Sequence, residues 1–553
     1  MSKIRLADFI TEYLCNIDVK SVFMLSGTGS IHLDDAFAHQ KGMKYTCARH
    51  EAAAVMMATA SAKLTGNIGV VIATTGPGGT NAIGGVTEAW VDSVPVLIIS
   101  GQVYTKQISK GIRSFGVQGF NIIENVRHIT KYATQVTNSL EIRYHLEKAV
   151  YKAQSSRPGP VWLDIPFNIQ SEIIETKDLL SFSFSKSLIS NRHSKRIVEV
   201  IQVIKNSKKP VIVFGQGIRN ANAIPEFNKL LDKLKTPSIA ARMAIDILEY
   251  SNPYYFGFGG MRGQIVPAKI LKECDLILAL GTSFTHAFAG QNYDEYNNGA
   301  KLIMVNLDHN EMSKNNLKVD IPVKMDLKVF IIEVLKHLED YSINNTKNIW
   351  LNKCNEMKDN IKYPSTKGNP INSYFFIECL NKYSKSNNIF VNDAGSANYI
   401  CSQGLEFKKG QRELTSGAFY SMGVAVPLAI GASISKPDAQ VIAITGDGSV
   451  ELNIQELRTI SINNLNIKLF IINNGGYASI RKSQDDMVGG RYTDDVEILN
   501  FSKVAKAFEL PFFIIDDYKN FDTLLPDLLS NNEPALIEVV CDPAQEILEV
   551  FKE

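Results

Sequence analysis

From end to end the chain alternates short β-branched apolar runs with longer amphipathic stretches, and no other feature constrains its fold as much. The runs read GVVIAT, VPVLIIS, PVWLDIP, KPVIVFG, DLILALG, KLIMVNLD, NIFVND, AQVIAITGD, IKLFIINN and PALIEVV. Each is continuous apolar sequence of strand length, the pattern of parallel sheets covered on both faces by helices. The expected fold class is α/β, made of doubly wound parallel-sheet domains.

Two polar, low-glycine stretches, SFSFSKSLISNRHSKR and NNTKNIWLNKCNEMKDNIKYPSTKGN, interrupt the alternation and read as linkers. They separate units at 1–180, 190–345 and 365–553. Three units suit a chain of 553 residues at ~150 per domain. No sequence repeat joins them, although the first and third have similar strand and helix counts.

Fifty-eight Lys and Arg stand against 57 Asp and Glu, a formal charge of +1. That balance supplies neither the basic field that nucleic acid requires nor a polybasic membrane patch. The N-terminal MSKIRLADFITEYLC is charged and amphipathic where a signal peptide is apolar, and no run approaches the roughly 20 uncharged residues of a membrane helix. Cys15, Cys47, Cys274, Cys354, Cys379, Cys401 and Cys541 are scattered without CxxC spacing and read as reduced core thiols. The expected compartment is the cytoplasm.

What stands out is 37 glycines, many gathered in a few runs. A strand, VIAIT, ends in Gly446-Asp447-Gly448-Ser449 and opens a helix, so backbone amides and a helix dipole face an anion. Asp447 adds a hard oxygen ligand there. The next strand, IKLFII, ends in Asn473-Asn474, whose amide oxygen can complete a metal position with the Gly476 carbonyl. Carboxylate, amide, carbonyl and phosphate oxygens suit magnesium. Either piece alone also reads as an ordinary turn, but at the ends of two consecutive strands they fall where parallel sheets bind ligands. In the first unit Arg49-His50-Glu51 precedes the helix AAAVMMATASAKLTG, and Glu51 reads either as a carboxylate facing a packed site or as a solvated first-turn residue. A third run, Thr75-Gly76-Pro77-Gly78-Gly79-Thr80-Asn81, joins a strand to a helix but lacks the lysine of a Walker motif.

The GDG…NN pairing resembles the signature of thiamine diphosphate enzymes. The stretch GPGGTNAIGGVTEAWVDSVPVLIISGQV is similar to the acetohydroxyacid (acetolactate) synthase branch, as are RPGPVWLDIP, VNDAGSANYI and LTSGAFYSMGVAVPLAIGAS. The resemblance implies three domains: pyrimidine-binding, central and diphosphate-binding. It implies magnesium held by Asp447, Asn474 and the Gly476 carbonyl. Thiamine diphosphate would meet Gly27, Pro77, Asn81, Ser396, Gly446, Gly448, Ser449, Tyr477, Ala478 and Ile480, with Met422 buttressing its bent shape. Glu51 takes the place of the acid that activates the cofactor through its aminopyrimidine ring. Gln118 keeps the glutamine of a family Phe-Gln pair whose aromatic is Val117 here, and is the second catalytic candidate.

Other departures bear on ligands. Ser283 and Ala287 stand where flavin-binding relatives carry two arginines, so FAD, ADP or no nucleotide all remain open for the central unit. The run Tyr477-Ala478-Ser479-Ile480-Arg481 replaces the family's substrate-gating segment and resembles thiamine enzymes that extend a large acceptor. The implied activity is decarboxylation of a 2-keto acid, pyruvate above all, with transfer of the acyl-anion unit to a carbonyl acceptor. A simple 2-keto acid or oxalyl-CoA-type decarboxylase is one alternative, and a scaffold paralogue that retains the fold alone is another. A homodimer or homotetramer with active sites between chains is implied as well.

Overall fold

The computed structural model describes residues 3–108, 111–184, 192–290, 298–315, 317–360, 363–493 and 497–550. Three six-stranded sheets, each wholly parallel, succeed one another along the chain. In the first, the strands Ser21–Met24, Lys44–Cys47, Gly69–Ala73, Val96–Gln102, Tyr132–Gln135 and Val161–Pro166 lie in the spatial order second, first, third, fourth, sixth, fifth. The third sheet runs from Ile389–Asn392 to Ala535–Val540 and repeats that order. The central sheet, Pro210–Phe214 to Ile321–Lys324, instead follows third, second, first, fourth, fifth, sixth. A small antiparallel ribbon pairs Lys3–Arg5 with Ile173–Glu175.

The apolar runs are uninterrupted because both faces of each strand are buried. Val70 and Ile72 enter one core and Val71 the opposite one; Ile442 and Ile444 likewise part from Val441 and Ala443. One of these cores is shared by the first and third sheets. At its centre the helix Glu51–Thr65 packs on the helix Ala425–Ser435. The first of these is buried on nearly every side, and its residues are mostly small or apolar, as suits a helix enclosed by neighbours. Gly431 permits their close approach, since a Cβ there would lie 2.2 Å from the Met57 carbonyl oxygen.

One expected linker is a helix instead. Asn345–Asn360 places Trp350 and Cys354 in the core of the central unit, and the Trp350 indole donates to the Pro210 carbonyl at 3.0 Å. The spacing of Trp350, Cys354 and Met357 is that of one helical face, which the surrounding Asn and Lys conceal. Of the other expected linker, residues 185–191 lie outside the described residues, and the chain is helical from Arg192 to Asn206. All seven cysteines are unpaired. Among the described residues no helix is long and apolar enough to cross a membrane.

Candidate active site

The glycine-rich runs all fall at the carboxyl ends of strands, where open α/β sheets place their ligands. In the third sheet, strands Val441–Gly446 and Ile467–Asn473 are neighbours with Gly446 opposite Ile472, which sets Asp447 beside Asn474. Asp447 is buried. Its Oδ1 accepts the Gly448 amide at 2.8 Å, and its Oδ2 accepts the amides of Asn474 at 3.1 Å and Gly476 at 2.8 Å. The three expected metal ligands are therefore tied into one turn by the carboxylate. Gly475, Gly476 and Tyr477 follow in succession at φ 86°, 77° and 43°, a left-handed run that swings the chain back over the GDG turn. The Tyr477 ring lies against Gly448 so closely that a Cβ there would fall 2.8 Å from it. Ser449 is buried, and Ser396 Oγ stands 3.4 Å from Ser479 Oγ, joining the starts of two longer helices, Gly395–Gly404 and Ala478–Val488. Ala478 is half-buried and Ile480 is exposed.

In the first sheet, Glu51 opens its helix behind His50, whose Nδ1 accepts the Ala52 amide at 3.2 Å. Glu51 is 4% exposed, so the solvated reading does not hold in this chain. Asn81 Nδ2 donates to Glu51 Oε2 at 3.0 Å. Gly78, from the same helix as Asn81, faces the other oxygen: a Cβ there would stand 3.3 Å from Oε1. Pro77 is the first residue of that helix, and Gly76 before it, at φ 64°, lies under Gln118. A Cβ on Gly76 would reach 2.3 Å from the Gln118 carbonyl oxygen, and one on Gly27 would reach 2.4 Å from Thr74 Oγ1. Thr74 and Thr75 carry buried hydroxyls without partners at this junction. Glu51, Asn81, Pro77, Gly27 and the backbone of Gln118 thus gather at one sheet edge, while the Gln118 residue itself is exposed.

Met422 is half-buried in the segment between strand Arg412–Leu414 and helix Ala425–Ser435. A residue that sequence reasoning passed over holds it in place. Asp393, fully buried, accepts the amides of Gly423 at 2.8 Å, Ala425 at 3.2 Å and Ala394 at 2.8 Å, and the Thr445 hydroxyl at 3.0 Å. Burial pushes its carboxyl above the ordinary range despite these donors. Its position at the end of a strand was the one available signal. Among the described residues no hydrogen bond joins Glu51 or Asn81 directly to Asp447, Asn474 or Gly476.

Comparison with known proteins decides the family. Residues 4–132 match the N-terminal TPP binding domain of thiamine pyrophosphate enzymes, 197–338 the central domain and 393–539 the C-terminal TPP binding domain. The acetolactate synthase large subunit of Lactococcus lactis subsp. lactis (strain IL1403) is 30% identical across 99% of this chain and 95% of its own length. The chain belongs to the thiamine pyrophosphate enzyme family. Acetolactate synthase isozyme 1 large subunit of Escherichia coli (strain K12) is 28% identical over 98% of this chain and 94% of its own. The chloroplastic acetolactate synthase of Arabidopsis thaliana is 28% identical over 98% and 82%.

This acetolactate synthase-like thiamine enzyme also holds a cavity of about 590 Å³ where its three units meet, lined by Arg157, Gly215, Arg242, Ser283, Ala287 and Tyr420 among others. Arg157 is paired with Asp308 at 3.1 Å and Glu311 at 2.7 Å. Arg242 is buried against Glu413 at 2.7 Å and donates to Asn392 and Asn398. Both guanidinium groups lining the cavity are thus engaged by protein groups.

Proposed function

We propose that the protein binds magnesium and thiamine diphosphate, decarboxylates a 2-keto acid, with pyruvate the expected donor, and transfers the acyl-anion unit to a carbonyl acceptor. The observation that carries this reading is the buried Glu51 carboxylate, oriented by Asn81 and given room by Gly78. A scaffold retaining only the fold would have no use for an enclosed acid of this kind.

The donor set fits the cofactor. Asp447, Asn474 and the Gly476 carbonyl offer the hard oxygen ligands that magnesium takes together with phosphate oxygens. Amides of Gly446, Gly448 and Ser449 lie at the start of a helical turn suited to a diphosphate. When bound, thiamine diphosphate supplies the electron sink for the charge left as carbon dioxide departs. Because Asn81 occupies Oε2, Glu51 would carry its proton on Oε1. Met422, held through Gly423 by Asp393, would form the apolar wedge under the cofactor, a proximity device. Gln118 would face the acceptor from the exposed loop above Gly76.

A homodimer or homotetramer with active sites between chains is part of this reading and follows from the family resemblance. Two observations weigh against a flavin dinucleotide in the central cavity: both lining arginines are already paired, and Ser283 and Ala287 supply no further cation. Incubation with pyruvate and a panel of aldehyde, keto-acid and keto-sugar acceptors tests the reading. Acetolactate or a longer ketol is expected, and acetaldehyde alone would replace carboligation with simple decarboxylation. A visible spectrum of the purified protein should lack a flavin band.

A further inference from the structure

Between the metal-motif segment of the third unit and the acid-bearing turn of the first lies one fully buried carboxylate, that of Glu456. The chain runs from Asp447–Val450 through a further helical stretch, Glu451–Glu456, without an intervening loop. At its end Glu456 Oε1 accepts the Arg49 amide at 2.7 Å, and Oε2 accepts the Thr459 hydroxyl at 2.8 Å. The His50 amide adds a further contribution to the same carboxylate. Arg49 and His50 directly precede Glu51, and His50 is the cap of its helix.

We propose that Glu456 is a positioning residue for Glu51. It fixes the backbone from which the acid projects and couples that backbone to the segment following Asp447. The inference rests on the assignment of Glu51 as the activating acid.

Three features carry it. A carboxylate with no exposure costs desolvation that a neutral, apolar residue would not, and burial raises its pKa. The amides at a helix start, which favour negative charge, offset part of that cost. The contact also joins two units of the chain at the one turn whose geometry the chemistry depends on. Asn81 fixes the side chain of Glu51 from one direction, and Glu456 fixes its main chain from another. Lastly, the Thr459 hydroxyl donates to Oε2, so both carboxylate oxygens are held between the two segments.

The test compares Glu456→Asp, which withdraws the carboxylate by one methylene, with Glu456→Gln, which retains an acceptor oxygen for Arg49. Glu456→Asp should lower kcat by up to about a hundredfold, the scale of a misplaced catalytic group. KM for pyruvate and the Kd for thiamine diphosphate should stay near their wild-type values. Glu456→Gln should restore most of kcat. In unliganded protein, amide hydrogen exchange over residues 49–52 should quicken in Glu456→Asp and remain slow in Glu456→Gln. Wild-type kcat in Glu456→Asp would overturn the proposal. So would an equal loss in both variants with exchange at 49–52 unchanged. Glu51→Gln is run alongside: if it retains turnover, the assignment of Glu51 fails, whereas the exchange result still reports whether Glu456 holds the turn.

Discussion

Asn81 donates its side-chain amide to Glu51 Oε2 at 3.0 Å across the packed start of two helices. A buried acid is thereby left with one committed oxygen and one available. Glu51→Gln should abolish turnover while thiamine diphosphate remains bound, because glutamine keeps the size and hydrogen-bonding reach of the side chain but cannot exchange a proton. Asn81→Ala should lower kcat roughly 10- to 100-fold, the range of an orienting hydrogen bond to an acid–base group in a buried site. Steady-state kinetics with calorimetric cofactor affinity separate the two. Unchanged kcat in Glu51→Gln would remove the residue from its role.

The Asp447 carboxylate organises the turn that contains Asn474 and Gly476 and is also the proposed magnesium ligand. Asp447→Ala should therefore abolish magnesium-dependent thiamine diphosphate affinity outright. Removing divalent cations with a chelator should have the same effect on the wild type, and adding magnesium should reverse it. Wild-type affinity in the variant, measured by calorimetry, would sink the metal assignment.

Two glycines of the 76–81 run exclude side chains for different reasons. Gly76 combines φ 64° with a Cβ position 2.3 Å from the Gln118 carbonyl oxygen. Gly76→Ala should cost about 1–3 kcal/mol in backbone strain and displace the Gln118 loop. At Gly78 the backbone is helical, and a Cβ would meet Thr74 at 2.8 Å and Glu51 Oε1 at 3.3 Å. Gly78→Ala should lower kcat more than it lowers Tm, since the nearest relief is movement of Thr74 and of the acid. Thermal melts paired with kinetics distinguish the two cases, and a kcat unaffected by Gly78→Ala would place Glu51 outside the chemistry.

These residues also show what the sequence alone could reveal. The ten apolar runs are all interior strands, where burial on both faces demands unbroken hydrophobic sequence. The six edge strands are only three or four residues long, and several, such as Lys44–Cys47 and Arg412–Leu414, are half polar, so little set them apart from loops. Two interior strands, Ser21–Met24 and Ser238–Ala240, escaped because they are only four and three residues long. The turn shared by Asp447, Asn474 and Gly476 was legible because it is built from a local motif beside strand ends. Asp393 and Glu456 were not, because their partners are amides brought near only by packing of distant segments. For Glu51, the choice between solvated and enclosed depended on Asn81 and Gly78, which a local reading cannot place against it.

Asp34 supplies a prediction for pH. Its Oδ2 accepts the Gly27 amide and the Ser30 hydroxyl, each at 3.1 Å, while Oδ1 is buried without a partner. Desolvation pushes its carboxyl from 3.8 up to about 6, outweighing those two donors. Between roughly pH 4 and 6 the native state therefore holds a proton that the unfolded chain has released. Stability should fall as pH rises through that window and level off above it, by an amount on the order of 1–2 kcal/mol for this partly screened group. Asp34→Asn keeps an acceptor for Gly27 and Ser30 but cannot titrate, so its stability curve should lack this part of the slope. Denaturant melts of both proteins at intervals from pH 4 to 7 make the comparison, and parallel curves across the whole range would show that Asp34 takes up its proton at an ordinary pH.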